Sequence, residues 1–241
     1  MSQAIPKSAT RTVLDQQLKN YLSITLGGTL QLDGRDQLSE RRHHSELLGI
    51  HAIEPSKQQP IHHVEFTAIR GPHGTIPVRV LHPSSTAERQ RTTRDAAALI
   101  YFHSGGYTVG SVDEFENGLR LVAQKASVVV FAIEYRLAPE WHFPVQLHEY
   151  ATVLDWVRGS GGQERGIIPQ RVCVGGDSAG GNMTVALALM KRDEGLADVL
   201  KAQILLYPEA RPPFDTEAAI ENNSGLYLEC MYICIPIHHS R

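Results

Sequence analysis

Hydrophobic positions along this chain fall into two textures. Over residues 11–26, Val13, Leu14, Leu18 and Leu22 recur at helical spacing and predict an amphipathic helix. Residues 36–50 read as a second helical piece, in which Arg41, Arg42, His43 and His44 precede Leu47 and Leu48. That basic cluster is read as a solvated face. From residue 64 the texture changes. Residues 64–70 and 76–82 are strand-like runs around Gly71-Pro72-His73-Gly74, a hairpin signal, and residues 84–95 are polar and loop-like. Four further apolar runs, at 96–102, 128–135, 171–175 and 202–207, read as buried strands. Helical patterns separate them over 114–125, 145–158 and 179–192. Strands alternating with helices of this length predict an α/β fold: a mostly parallel sheet with helices on both faces and an antiparallel hairpin at its start.

Composition narrows the picture without redirecting it. The chain has 241 residues, enough for one domain with a small appendage, and it is 42% hydrophobic and 20% charged. With 23 basic and 26 acidic residues the net charge is −3, which supplies no field to draw nucleic acid or anionic lipid. Cys173, Cys230 and Cys234 are too few and too clustered for a disulfide framework. The first 14 residues lack the apolar core of a secretory signal, and no run of 18 apolar residues exists. A cytoplasmic location with no membrane span is the expectation.

Candidate chemistry sits at the end of the run 171–175. The segment Gly176-Asp177-Ser178-Ala179-Gly180 has the pattern Gly-x-Ser-x-Gly between a strand and a helix. A tight strand-to-helix turn lifts a serine hydroxyl off the sheet, and the helix N-terminus behind it offers N–H groups and positive partial charge to an oxyanion. The five-residue pattern alone is a weak signal; the strand before it and the helix after it supply the context. A phosphate-cradling turn would need Gly-Lys-Ser/Thr or Gly-x-Gly-x-x-Gly, and neither fits. A second motif, His103-Ser104-Gly105-Gly106-Tyr107, follows the run 96–102, where an α/β-hydrolase supplies its other oxyanion donors. His103 is read as a structural histidine bonding its own loop, because in this fold the general base follows the nucleophile.

Four ordered segments carry a family resemblance: the His-Ser-Gly-Gly turn; Glu134-Tyr135-Arg136-Leu137-Ala138-Pro139-Glu140 with Phe143-Pro144; the Gly-Asp-Ser-Ala-Gly turn; and Leu205-Leu206-Tyr207-Pro208. The chain resembles the hormone-sensitive-lipase-like family of α/β-hydrolases, the group with a Gly-Asp-x-Gly signature. The resemblance implies hydrolysis of a small-molecule carboxylic ester through a serine acyl-enzyme, without metal or cofactor. By position, Ser178 is similar to the family's nucleophile, and Gly105, Gly106 and Ala179 resemble its oxyanion donors. His103 is similar to the loop histidine that shapes the turn, and Tyr107 to a pocket-lining residue. The implied organisation is N-terminal cap helices over 1–55, a hydrolase core over 56–208, a partial cap segment over 209–229 and a divergent tail over 230–241.

Two departures stand out. Ser104 occupies a position where the family has glycine; at φ > 0 a serine there costs about 1 kcal/mol. After Leu228 the family continues with further strands carrying the triad Asp and, in a final loop, the His. Residues 229–241 have no such pattern. A truncated core with impaired turnover is therefore the expectation. Two other readings stay open: a ligand-binding module of the kind plant gibberellin receptors make from this fold, or a non-functional truncated product. His238 and His239 follow Ser178 in triad order but fall in the cap-like region, so neither is named as the base. Cys230, Cys234, His238 and His239 are metal-ligand types with nothing to pair them, and Pro236 interrupts any helix that would align them, so no metal site is expected. With no later strands, the run 202–207 becomes a sheet edge and is expected to mediate self-association.

Overall fold

The computed structural model describes residues 15–21, 23, 37–84, 94–210, 216, 217 and 219. The chain groups into two compact units, one of residues 1–44 with 210–241 and one of residues 45–209. The first unit contains helix α1 (Gln16–Asn20) and most of α2 (Gln37–Leu48). Asp15 caps α1, its side chain accepting from the N–H groups of Gln17 and Leu18 at 2.9 and 3.2 Å. The basic cluster on α2 is not a uniformly solvated face. Arg42 and His43 are exposed, but His44 is buried. Four consecutive helical residues are spread over about 300° around the axis, so they cannot all share one solvated face.

The second unit is built on one sheet. Strands β1 (His63–Gly71), β2 (Gly74–His82), β3 (Ala96–Phe102), β4 (Val128–Ile133), β5 (Ile167–Asp177) and β6 (Gln203–Leu206) lie in the order β1-β2-β4-β3-β5-β6. The β1–β2 hairpin closes on Pro72-His73, with Gly71 opposite Gly74, and β2 joins β4 antiparallel. Strands β4, β3, β5 and β6 are mutually parallel. The intervening helices are α3 (Val112–Ala126), α4 (Val145–Arg158), the short α5 (Ser160–Glu164) and α6 (Ala179–Asp193).

Side-chain alternation along the parallel strands divides the interior in two. Ala98, Ile100 and Phe102 of β3 with Val129, Phe131 and Ile133 of β4 pack with Tyr150 and Leu154 of α4 and Met183 and Leu187 of α6. Leu99, Tyr101, Val130 and Ala132 face the other way, with Val112, Leu119 and Ala123 of α3. Strand β5 begins earlier than its apolar run. Ala96 pairs with Ile167 and Ala98 with Val172, and the surplus residues between them accommodate Pro169, which has no N–H for a regular ladder. Strand β6 is short, and every one of its residues is exposed. No helix among the described residues is long and apolar enough to cross a membrane.

Candidate active site

Strand β5 ends at Asp177 and α6 begins at Ala179, so Ser178 alone makes the strand-to-helix turn. It does so at φ 49°, ψ −116°, a region that an L-residue enters only when its surroundings impose it. The surroundings here are specific. Ser178 N–H donates to Leu206 O at 3.0 Å, and Ser178 O accepts from Asn182 N at 2.9 Å and Glu209 N at 3.2 Å. The two glycines of the motif serve close approach. A Cβ on Gly180 would lie 2.0 Å from Phe102 O, and one on Gly176 2.3 Å from Gly180 C. Any larger residue would push α6 off the end of β3.

That contact brings the two sequence motifs together. In the parallel register Tyr101 lies opposite Gly175 and Phe102 opposite Gly176, so the loop leaving β3 and the turn leaving β5 emerge side by side. The β3 loop turns on Gly105 at φ 119° and Gly106 at φ 55°. Gly105 O accepts from Thr108 N and Val109 N, both at 3.0 Å, and Tyr107 O accepts from Ala138 N at 2.8 Å. Ser104 is not among the positive-φ residues, so its replacement of glycine carries no conformational cost. The N–H groups of Gly105, Gly106 and Ala179 have no acceptor among the described residues.

Beneath the loop lies a stack of rings. His103 packs against Phe115 and Tyr135 with centroids at 5.5 and 4.3 Å, Tyr135 against Phe102 at 5.0 Å, and Phe102 against Tyr150 at 3.9 Å. The His103 ring is wholly buried, its Nδ1 lies 2.7 Å from Ser104 O, and burial holds its pKa below the ordinary value. A neutral imidazole with Nδ1–H donating to Ser104 O satisfies that contact. Tyr135 OH donates to His103 O at 2.9 Å. At the far end of the stack Tyr150 OH accepts from Gly175 N at 3.1 Å and lies 3.2 Å from Ile100 O. One hydroxyl thereby ties β3 to β5 just before the turn. Neighbouring Arg136 is paired with buried Glu149, consistent with a structural use of the Tyr-Arg-Leu-Ala-Pro-Glu run.

Sequence reasoning missed the flank formed by β6. Asp177 is buried and accepts from Tyr101 OH at 2.7 Å and from Tyr207 OH at 3.4 Å. Glu209, just beyond, has its backbone O held by Asn182 Nδ2 at 2.6 Å. Burial pushes its carboxyl up to about 7. The only legible signal was a carboxylate following Tyr207-Pro208; its burial arises from tertiary packing. Tyr107, at φ 65°, is partly buried, and burial, with a smaller part from Glu209, raises its phenol above the ordinary value. No described side chain hydrogen-bonds the Ser178 hydroxyl. No group of three or more potential metal ligands gathers among the described residues. The segment 211–215, and Cys230, Cys234, His238 and His239, lie outside them.

A family model described as the alpha/beta hydrolase fold matches residues 99–232. The carboxylic ester hydrolase LipN of Mycobacterium tuberculosis is 36% identical over 164 residues, covering 65% of this chain and 41% of that protein. Arylacetamide deacetylase of Bos taurus is 38% identical over 152 residues, covering 61% of this chain and 37% of the other. The chain thus spans about two fifths of the length of these curated relatives. Among solved structures, a hyperthermophilic esterase from Pyrobaculum calidifontis superimposes with a TM-score of 0.78 at 29% identity, over 92% of this chain and 69% of that one.

Proposed function

This chain belongs to the α/β-hydrolase family, in its hormone-sensitive-lipase-like branch, and from that premise we propose that its site cleaves small-molecule carboxylic esters with Ser178 as the nucleophile. The observation that carries the proposal is the strained backbone of Ser178 at a one-residue strand-to-helix turn, held from both sides. Ser178 Oγ attacks the ester carbonyl carbon. The developing oxyanion takes hydrogen bonds from the N–H groups of Gly105, Gly106 and Ala179, which have no acceptor among the described residues. The alkoxide leaves with a proton, and water then cleaves the acyl-enzyme to release acid and free serine. His103 shapes the oxyanion loop, and Tyr107 lines the pocket. The helices of residues 1–55 and the segment 209–229 act as a cap in this reading.

The serine proton needs a base, and no described residue bonds to Ser178 Oγ. The family pattern puts triad Asp and His after the sixth strand. The 241-residue polypeptide by itself is therefore proposed to turn over orders of magnitude more slowly than a complete relative, with roughly 10³–10⁴-fold over water remaining from binding and the oxyanion donors. The same observation favours one second reading, a ligand-binding module that retains the pocket without the chemistry. A fluorophosphonate probe separates the two. Labelling that disappears in Ser178→Ala supports the hydrolase; absence of labelling alongside retained ester binding supports the binding module. Ester cleavage by Ser178→Ala at the parent's rate would refute the nucleophile assignment.

A further inference from the structure

Asp177 joins the ends of the three strands that build the site. It is the last residue of β5, directly before Ser178, and is 1% exposed. Its Oδ1 accepts from Tyr101 OH of β3 at 2.7 Å, and its Oδ2 from Tyr207 OH, just beyond β6, at 3.4 Å. In the parallel register Tyr101 lies opposite Gly175, so it shares a face of the sheet with Asp177, two residues on. That face packs against α3, whereas Tyr150 ties β3 to β5 from the face that packs against α4 and α6. The backbone adds a second observation. Ser178 at φ 49° and Tyr207 at φ 36° both occupy the left-handed region that residues with a side chain avoid. The two are joined in a closed circuit: Tyr207 OH bonds Asp177, Ser178 follows Asp177, and Ser178 N–H returns to Leu206 O, the residue before Tyr207, at 3.0 Å. Strain of this kind persists where the surroundings over-determine it.

A buried carboxylate is costly to desolvate, and an apolar residue of similar size would fill the same volume without that cost. What an apolar residue cannot do is accept hydrogen bonds from two hydroxyls on two different strands at once. Such charge-assisted bonds are the strong and directional ones. Burial first, and the charge of Asp177 second, push the Tyr101 phenol far above its ordinary value, so it stays a donor. We propose that Asp177 is a positioning residue for Ser178, its carboxylate bridging Tyr101 and Tyr207 to fix the turn that presents the serine hydroxyl beside the oxyanion loop. The proposal rests on Ser178 being the nucleophile. Asp177 acts through the backbone of Ser178. Tyr101 is followed by Phe102 and then by the loop of Gly105 and Gly106, so the Tyr101–Asp177 bond also sets the spacing between the serine turn and those two N–H donors. The arm to Tyr101 is the shorter and better buried, so it carries the larger share.

The test uses the full 241-residue chain and reads amide hydrogen exchange of Ser178 N–H by NMR beside the amides of β4. Opening the turn breaks the bond from Ser178 N–H to Leu206 O, whereas the β4 amides report unfolding of the sheet. Tyr101→Phe removes the shorter arm and keeps the ring. The expected result is that Ser178 N–H exchanges about tenfold faster or more, and that a fluorophosphonate labels Ser178 about tenfold more slowly or worse, with the β4 amides still protected. Tyr207→Phe, at the longer arm, is expected to change both rates about threefold. If the carboxylate only stabilises the core, the turn opens with the Tyr101 bond intact. Ser178 then exchanges at the parent's rate while the β4 amides speed up, and the proposal is overturned. Faster exchange with unchanged labelling would also overturn it, because the turn would then not position the hydroxyl. If Tyr101→Phe loses β4 protection altogether, Tyr207→Phe decides: an unchanged Ser178 exchange rate there overturns the proposal. Absent labelling of the parent is instead the failure of the nucleophile reading, and the exchange comparison still decides whether Asp177 holds the turn.

Discussion

Ser178 stands between two unlike flanks. Toward β3 there is no spare room: the backbone of α6 meets the backbone of β3 at Gly180 and Phe102, and Tyr150 binds both strands beneath. Toward β6 the same serine depends on the last strand of the sheet among the described residues, with Ile204, Leu205 and Leu206 about 40% exposed. Both flanks hold the turn, one by exclusion of volume and the other by three hydrogen bonds to residues 206 and 209. Strained backbone survives only where it is over-determined. The β3 side holds the turn by close packing, and the β6 side holds it by hydrogen bonds.

The sharpest way to break this picture is at the tight flank. Gly180→Val places carbon atoms inside the contact with Phe102 O and is expected to cost about 4 kcal/mol or more, read by chemical denaturation. A loss under about 1 kcal/mol would mean that α6 can slide and that the flank is not rigid.

On the β6 flank, Glu209 couples stability to pH. Its folded pKa, about 7, lies above its ordinary value of 4.5, so the folded state binds more protons between these values and stability falls as pH rises through that window. Glu209→Gln is expected to leave thermal stability unchanged near pH 4.5 and to raise it at pH 8, by on the order of 2 kcal/mol once the solvent-facing part of the side chain is allowed for. Parallel melting curves at both pH values would refute the assignment.

A smaller loss is expected for Tyr150→Phe, which strips Gly175 N–H of its partner and should cost about 1.5 kcal/mol by denaturant titration. The smallest change in stability, under about 0.5 kcal/mol, is expected from Leu205→Lys at the exposed edge. Its effect should be on association instead. If β6 pairs with a second copy, the parent elutes above monomer mass in light-scattering chromatography and the lysine variant as a monomer. A monomeric parent would show that the edge is harmless.

Much of the core was legible because its strands and helices differ so strongly in period. The runs 96–102 and 145–158 match β3 and α4 end to end. The hairpin followed from Gly71 and Gly74 flanking two turn residues. The two loop motifs were visible as motifs, and the parallel register of β3 and β5 explains why they meet. What stayed hidden depends on neighbours remote in sequence. The start of β5 was obscured by Pro169, which reads as a breaker until the irregular pairing with β3 is seen. His44 was hidden in a polar run. Glu209 carried no signal of its own in the sequence, because desolvation has no local signature.

The β3–β5 register also dictates when the serine turn can exist. Phe102 meets Gly176 across an interval of chain that must first be synthesised and then closed, and pairings of such separation form late. A chain growing from its N-terminus has the hairpin, β3 and β4 available by residue 133, yet one side of β3 waits for β5. Even then Ser178 N–H has no acceptor until Leu206 arrives. A nascent chain halted between these points would carry the whole motif in a relaxed conformation. The strained serine is thus expected among the last features of this core to form.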